Sequence, residues 1–470
     1  MKLSRVISIA LIVILAFSCK RVSNPAPESV QRTRLQQVMD RGVLRVVTDF
    51  NSTSYFIYRG QPMGYQYEML QELANHLGVK LEVQVDNNLN NKFELLETGE
   101  VDLIAVNLTI TKERKSKVDF TVPHTQTHQV LVQRKPDNWE KLSKKAIQDS
   151  LINSQLDLGG KSIYVQRNSA YARRLRSLSD EIGENIRIVE VDEGEDKLIE
   201  KVANGDIDYT ISDDNIAQVN ATYYGNIDIS LPVSFSQNLA WAVAKGSNDL
   251  KNIIDTWLVD FKKTRKYALL YHKYFQSTRS ALLKESDYFA NYSGKISPYD
   301  AIIRQMSEEI GWDWRLVASM IYQESRFNPQ AKSWAGAYGL MQLMPQTGER
   351  FGVTQNSSPK MQIRAGIMFI RWLDERFQFI DDISERQKFV LAAYNVGLGH
   401  VMDARALAVK YNKNPNVWEG SVAEYLLMKS NPAVYNDDVV KYGYCRGTEP
   451  YQYVADIFER YEHYKNLVTE

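Results

Sequence analysis

Apolar positions recur along this chain at two different periods, and the change of period divides it. From Val43 onward, short runs with two-residue alternation or β-branched character are separated by runs at helical spacing. VLRVVT (43–48), VKLEVQV (79–85) and VDLIAV (101–106) predict strands. GYQYEMLQELANHLG (64–78), closed by glycine, and NKFELLETG (91–99) predict helices between them. The alternation returns with strands KSIYVQ (161–166), IRIVEV (186–191) and IDYTIS (207–212) around helices SAYARRLRSL (169–178) and EDKLIEKVANG (195–205). NLAWAVAKGS (238–247) predicts a strand rejoining the first of these units, and a closing helix follows from about Asn248 to Phe275. Such β-α alternation specifies open α/β sheets with right-handed crossovers.

Beyond Phe275 the pattern is irregular until about Pro298, and from Tyr299 helix follows helix with little strand signal. In DWRLVASMIYQESRF (313–327), Val317, Ile321 and Glu324 stand at i, i+4 and i+7, and Met320 lies one turn before Glu324. They share a face, so a carboxylate rides the apolar stripe. A glutamate at a helix end can also turn out to water, and spacing alone leaves both readings open. Asn328-Pro329 stops the helix, Gly336 and Gly339 give a loop that passes close to something, and GLMQLMP (339–345) opens a new apolar segment.

With 470 residues, 44% hydrophobic and 24% charged, the chain has room for two to four folded domains. Lys+Arg and Asp+Glu both number 57, without a basic tract, so nucleic acid is not an expected partner. Neither a G-x-G-x-x-G nor a P-loop occurs, and no cofactor is expected. His124 and His128 are four apart but lie between a proline and a strand with no acidic or thiol partner in register. They read as surface or hinge histidines, and no metal site is expected. Of the two cysteines, Cys19 ends MKLSRVISIALIVILAFSC, which has a charged start and an apolar stretch too short to span a bilayer comfortably. This resembles a lipoprotein signal peptide over 1–19 with Cys19 as the lipidated residue, although Ala16 stands where that pattern prefers leucine. A plain signal peptide with an incidental cysteine is the competing reading. The expected location is the cell envelope, anchored by lipid, facing the periplasm from the outer membrane. Cys445 then has no partner for a disulfide. Residues 20–41 read as a tether.

GVLRVVTDF, PMGYQYEMLQELANHLGVKLEV and ELLETGEVDLIAVNLTITKERKSKVDFTVP together resemble the family 3 bacterial solute-binding proteins, over residues 42–276. The resemblance implies two α/β lobes closing on an amino acid. Arg114 would hold its carboxylate and Asp213 its ammonium, with Thr109 and Ser169 completing the shell. A guanidinium forks onto a carboxylate with two parallel bonds, and an acid just past a strand end points into the ligand crevice of an α/β sheet. Without the resemblance, Arg114 is one solvated charge in KERKSK and Asp213 a helix N-cap. QRNSAY (166–171) departs from the family, since bulky Arg167 and Asn168 replace a Gly-Thr or Gly-Ser pair.

Past a linker (277–296), residues 297–470 resemble the family 1 lytic transglycosylases in four ordered motifs: E-S at 324–325, GLMQ at 339–342, AAYNVG at 392–397 and YGYCRGTEPYQYV at 442–454. This implies a mainly α, lysozyme-like domain. It implies that Glu324 is the catalytic residue for cleaving peptidoglycan between N-acetylmuramic acid and N-acetylglucosamine without water, leaving 1,6-anhydromuramic ends. Ser333 and Gln342 would bond sugar or N-acetyl groups, Met341 would pack on a sugar face, and Tyr394 and Asn395 would face the cleft. Tyr453 would position Glu324 or substrate. Ser325 joins the substrate-binding group, with a local hydrogen bond as its competing role. Core packing competes for Met341 and Tyr394, and Pro450 departs from the last motif. The expected partners are glycan strands, an amino acid or wall peptide at the first domain, and the membrane through the anchor. A receptor that grips glycan without turnover and a lysozyme-type hydrolase are the alternative functions.

Overall fold

The computed structural model describes residues 32–58, 60–276, 289–290 and 295–467. The expected signal peptide, Cys19 and much of the tether and linker lie outside the described residues.

Two α/β lobes build the first part. The sheet of the first lobe has the order Lys80–Val85, Val43–Thr48, Leu103–Thr109, Gln237–Ala244, Val118–Phe120. Val43–Thr48 runs parallel to both its neighbours, and Gln237–Ala244 returns antiparallel between the last two, as its pattern predicts. The sheet of the second lobe has the order Arg187–Val191, Ser162–Gln166, Tyr209–Asp213, Gln129–Arg134, Ile227–Asp228. Its first three strands are parallel and the fourth is antiparallel to the third. The chain crosses between lobes through Thr125–Thr127, paired with Gln237–Leu239, and Gln126 Nε2 donates to Asn238 Oδ1 at 2.7 Å across the two connections.

The expected single helix over 248–275 is instead three pieces: Asn248–Phe261, Arg265–Tyr271 and a π turn at His272–Gln276. Thr264 is the cause, because its hydroxyl accepts from the Tyr267 amide and starts a new helix. The restart lays Tyr267, Tyr271 and Phe275 around Tyr65 of the first lobe.

The second part is helical. Asp300–Glu308, Pro359–Asp374, Ile383–Val396, Leu398–Lys410 and the long Thr448–Leu467 helix share one core with Trp314–Ser325, which lies against the first and last of them and has ten of its twelve residues buried. A helix apolar on nearly every side belongs in a core, and this one carries Glu324 into it. Asp313 caps it by accepting from the Arg315 amide at 2.9 Å.

The two parts share an interface. The hairpin Phe56–Tyr58/Gln61–Met63 leaves the first lobe and buries Ile57 in the helical core. Tyr464 Oη donates to the Gly60 carbonyl at 3.0 Å, and Asn466 Nδ2 to the Val83 carbonyl at 2.7 Å. The hydroxyls of Tyr55 and Tyr67 sit on either nitrogen of His463, at 2.9 and 3.3 Å. Burial, and then Arg460, push the His463 pKa down to about 4, so it is neutral there. Among the described residues no helix is long and apolar enough to cross a membrane.

Candidate active site

Glu324 stands in the last turn of Trp314–Ser325, at the wall of a cavity of about 530 Å³. The helix ends because Arg326 and Phe327 both adopt left-handed backbone, φ 52° and 60°, which turns the chain sharply out of the core. Burial pushes the Glu324 carboxyl up to about 7, against the opposing pull of a hydrogen bond from Tyr453 Oη to Oε1. Tyr453 is itself buried on the Thr448–Leu467 helix, and burial beside Glu324 keeps its hydroxyl protonated and donating. Among the described residues Tyr453 is the one hydrogen-bond partner of the Glu324 carboxyl.

The loop after the helix forms the cavity's second wall. Ser325 is buried, and its hydroxyl donates to the Leu340 carbonyl at 2.9 Å and to Ile321 at 3.2 Å. It clamps the loop to the helix, so its expected substrate contact is corrected to the local bond. Ser333 lines the cavity while its Oγ accepts from the Ala337 amide at 3.0 Å. Gln342 lines it too, in left-handed backbone at φ 45°, with Nε2 donating to Ala331 and Gly339 carbonyls at 3.1 and 2.8 Å. Its amide nitrogen is committed to the loop, which leaves the amide oxygen for other partners. Met341 is the second correction. Its side chain is 1% exposed and packs over Gly366, so it cannot lie against a sugar. Its backbone carbonyl instead accepts from Tyr394 Oη at 2.7 Å. Met344, half exposed three residues on, takes the place at the cavity wall. Tyr394 and Asn395 end the Ile383–Val396 helix and line this cavity together with an adjoining one.

Several residues here escaped the sequence reading. Gln362 Oε1 accepts from the Leu340 amide at 2.8 Å, and its Nε2 donates to Ser357 and Pro329 carbonyls at 2.9 and 3.3 Å. Trp334 is fully exposed at the cavity mouth. A tryptophan in a polar, glycine-bearing turn has no core to join, and that was its signal. Glu449 and Asp456 also line the cavity. Asp456 is engaged by Gln452 Nε2 at 2.6 Å and Gln323 Nε2 at 3.5 Å.

In the first part, a cavity of about 50 Å³ lies between the lobes. Thr109, Arg114 and Ser169 line it, as do Lys92, Tyr171 and Glu195. Arg114 is buried, donates to the Thr109 carbonyl at 3.0 Å, and has its pKa pushed down to about 10 by burial and then by Arg173. Ser169 caps the helix Ala170–Ile182. Asp213, at the end of its strand, is buried and makes no side-chain cap bond, so the N-cap reading is not its role. Burial and the neighbouring Glu195 push its carboxyl well up, and Glu195 itself is pushed up to about 7 by burial. Glu195 was hidden because an acid in a helix's first turn reads as an ordinary dipole contact. Arg167 also lines it, with its guanidinium paired to Asp192 at 2.8 Å. The lobes are latched by Ser52 N and Oγ on Asp196 at 2.5 and 2.9 Å, Gln166 on the Asn87 carbonyl at 2.7 Å, and Arg173 on Glu113 at 2.6 Å. His124 is buried between Tyr65 and Trp241, and His128 faces Asp214 at 4.0 Å.

Residues 44–277 match the family of bacterial extracellular solute-binding proteins, family 3, and residues 301–417 match the transglycosylase SLT domain. Over 429 residues the chain is 32% identical to the membrane-bound lytic murein transglycosylase F of Desulfosudis oleivorans, covering 91% of both. It is 30% identical over 439 residues to the protein of that name from Aliivibrio fischeri, covering 93% of this chain and 85% of the relative. An ancestral amino acid-binding protein, a precursor of cyclohexadienyl dehydratase, is similar to 52% of this chain over all of its own length, with 28% identity and a TM-score of 0.44.

Proposed function

The chain belongs to the membrane-bound lytic murein transglycosylase F family, and from that premise we propose that Glu324 carries both proton transfers of a non-hydrolytic cleavage of murein. The chain is a peptidoglycan lytic transglycosylase. The observation that carries the mechanism is a half-buried carboxyl raised to about 7, held by one tyrosine hydroxyl at the wall of an open cavity. Below that pH the carboxyl is neutral and donates its proton to the glycosidic oxygen between N-acetylmuramic acid and N-acetylglucosamine. The C1–O bond breaks as the oxygen takes the proton, and the muramic N-acetyl group stabilises the cationic carbon. Glu324, now a carboxylate steadied by Tyr453, accepts the proton of the same sugar's C6 hydroxyl. O6 bonds to C1, the 1,6-anhydro ring closes, and Glu324 is protonated again. No water enters, and an intramolecular nucleophile has a large entropic advantage over one from solvent. Ser333, Gln342 and Asn395 are the polar groups placed to hold the strand.

A hydrolytic reading has one observation in its favour, the second carboxylate Asp456 on the same cavity. Two-carboxylate glycosidases would use such a group on water. Product analysis of digested murein separates the two routes, because hydrolysis leaves reducing muramic ends.

The lobed domain is proposed to bind an amino acid or wall peptide between Arg114 and the Asp213–Glu195 pair and to regulate the Glu324 cleft. A cation from one lobe facing acids from the other suits a zwitterion, and the hairpin of the first lobe packs on the catalytic domain. Regulation requires that a peptide alter murein turnover by the full-length protein and that Arg114→Ala abolish the change. Turnover insensitive to every wall peptide, with no binding heat, would remove this part. Cys19 is proposed as a lipid anchor, and Cys19→Ala is expected to release the protein from membranes.

A further inference from the structure

Beside the Glu324 cavity lies a second one of about 550 Å³, and the two share Gln342, Met344, Tyr394 and Asn395. They form one groove, so a strand cleaved at Glu324 continues into the second cavity. That cavity is walled by Phe351, Phe369 and Trp372. Arg350 stands on its rim with its guanidinium 4.6 Å from the Trp372 ring and 5.6 Å from that of Phe351. Arg350 is exposed and pairs with no carboxylate among the described residues, whereas nearby Arg371 and Arg386 are matched to Glu309 and Asp374. The other end of the groove is acidic, with Glu449 and Asp456. The groove therefore has a sign at each end.

An N-acetylated glycan backbone is neutral. What carries negative charge along such a strand is the peptide attached to the lactyl group of each muramic residue, through its free carboxylates. A guanidinium fixed against aromatic rings keeps its fork facing outward and loses little freedom on taking a carboxylate. We propose that Arg350, on the aromatic wall of the second cavity, binds a carboxylate of the peptide stem on a muramoyl residue adjoining the cleavage point, and so makes the enzyme prefer peptide-bearing over peptide-free strands. This rests on the reading that the strand lies in the Glu324 groove. Arg350 does not touch the reacting atoms and serves specificity.

The test is calorimetric titration of full-length protein carrying Glu324→Gln, so that no strand is cut, with two sets of glycan oligosaccharides of equal length. One set keeps its peptides; the other has lost them to an amidase, and the lactyl carboxylates so freed are capped as methylamides, which leaves that set neutral. Adding Arg350→Met, which keeps an apolar stem against Trp372, is expected to weaken binding of the peptide-bearing set by roughly tenfold and to leave the peptide-free set unchanged. Arg350→Lys should recover part of the loss, and the difference should shrink with added salt. Equal weakening on both sets, or none on either, overturns the assignment. If the parent protein binds neither set, the groove itself is misread, a failure distinct from that of Arg350.

Discussion

Glu324 is where one residue's surroundings decide the chemistry. Its carboxyl is raised from 4.5 to about 7 by burial, with Tyr453 pulling the other way. The free enzyme must start protonated, so kcat/KM on murein should fall as pH rises through about 7, which a pH–rate profile checks. A donor to the carboxylate lowers its pKa, so removing that donor in Tyr453→Phe should lower the rate and move the descending limb to higher pH. A limb that stays in place would mean that Tyr453 does not bear on Glu324. Glu324→Gln should keep the fold and lose about 10²–10⁴-fold in kcat. The same raised pKa also makes Glu324 a stability liability. Its contribution is complete below 4.5, where it is protonated folded and unfolded, and is lost as pH rises through about 7. Glu324→Gln is therefore expected to stabilise the protein by about 1–3 kcal/mol near pH 8 and little near pH 5, as urea unfolding at both would read.

At the scale of elements, the helix bearing Glu324, the β-α alternation and the returning strand were all legible, because each rests on a period that burial enforces. The direction of side chains in the loop was not. GLMQ named the right segment, yet its backbone turns through left-handed conformations at Gly339 and Gln342, so Met341 points into the core and Met344 outward. Local spacing cannot follow a chain through such turns. Nor could it find Gln362, which lies on the Pro359–Asp374 helix and reads as one more polar position. Its amide holds Leu340, Pro329 and Ser357 at once. Gln362→Ala should cost about 1–3 kcal/mol by leaving buried backbone groups unpaired, and should lower murein turnover by loosening the loop. Calorimetric unfolding and an initial-rate assay check both, and an unaltered Tm would contradict the role.

Across the whole molecule, the two domains were legible but their contact was not, since nothing in a hairpin such as FIYRGQPM announces a partner hundreds of residues away. Gly60 shows how closely the surfaces meet. It has φ +76°, and a Cβ there would lie 2.4 Å from the Tyr322 ring and 2.5 Å from the Tyr464 hydroxyl. Tyr322 stands two residues before Glu324. Gly60→Ala should therefore cost roughly 1–3 kcal/mol from backbone strain and overpacking, measured by urea unfolding, and should disturb turnover although it lies in the binding domain. The central claim is that one acid, working without water, ends each cut in an internal ring. Mass spectrometry of muropeptides released by the full-length protein from purified murein, digested in heavy-oxygen water, tests it most directly. Internal ring closure gives anhydromuramoyl products one water lighter than their reducing counterparts and free of the heavy label. Reducing muramic ends carrying that label would contradict it.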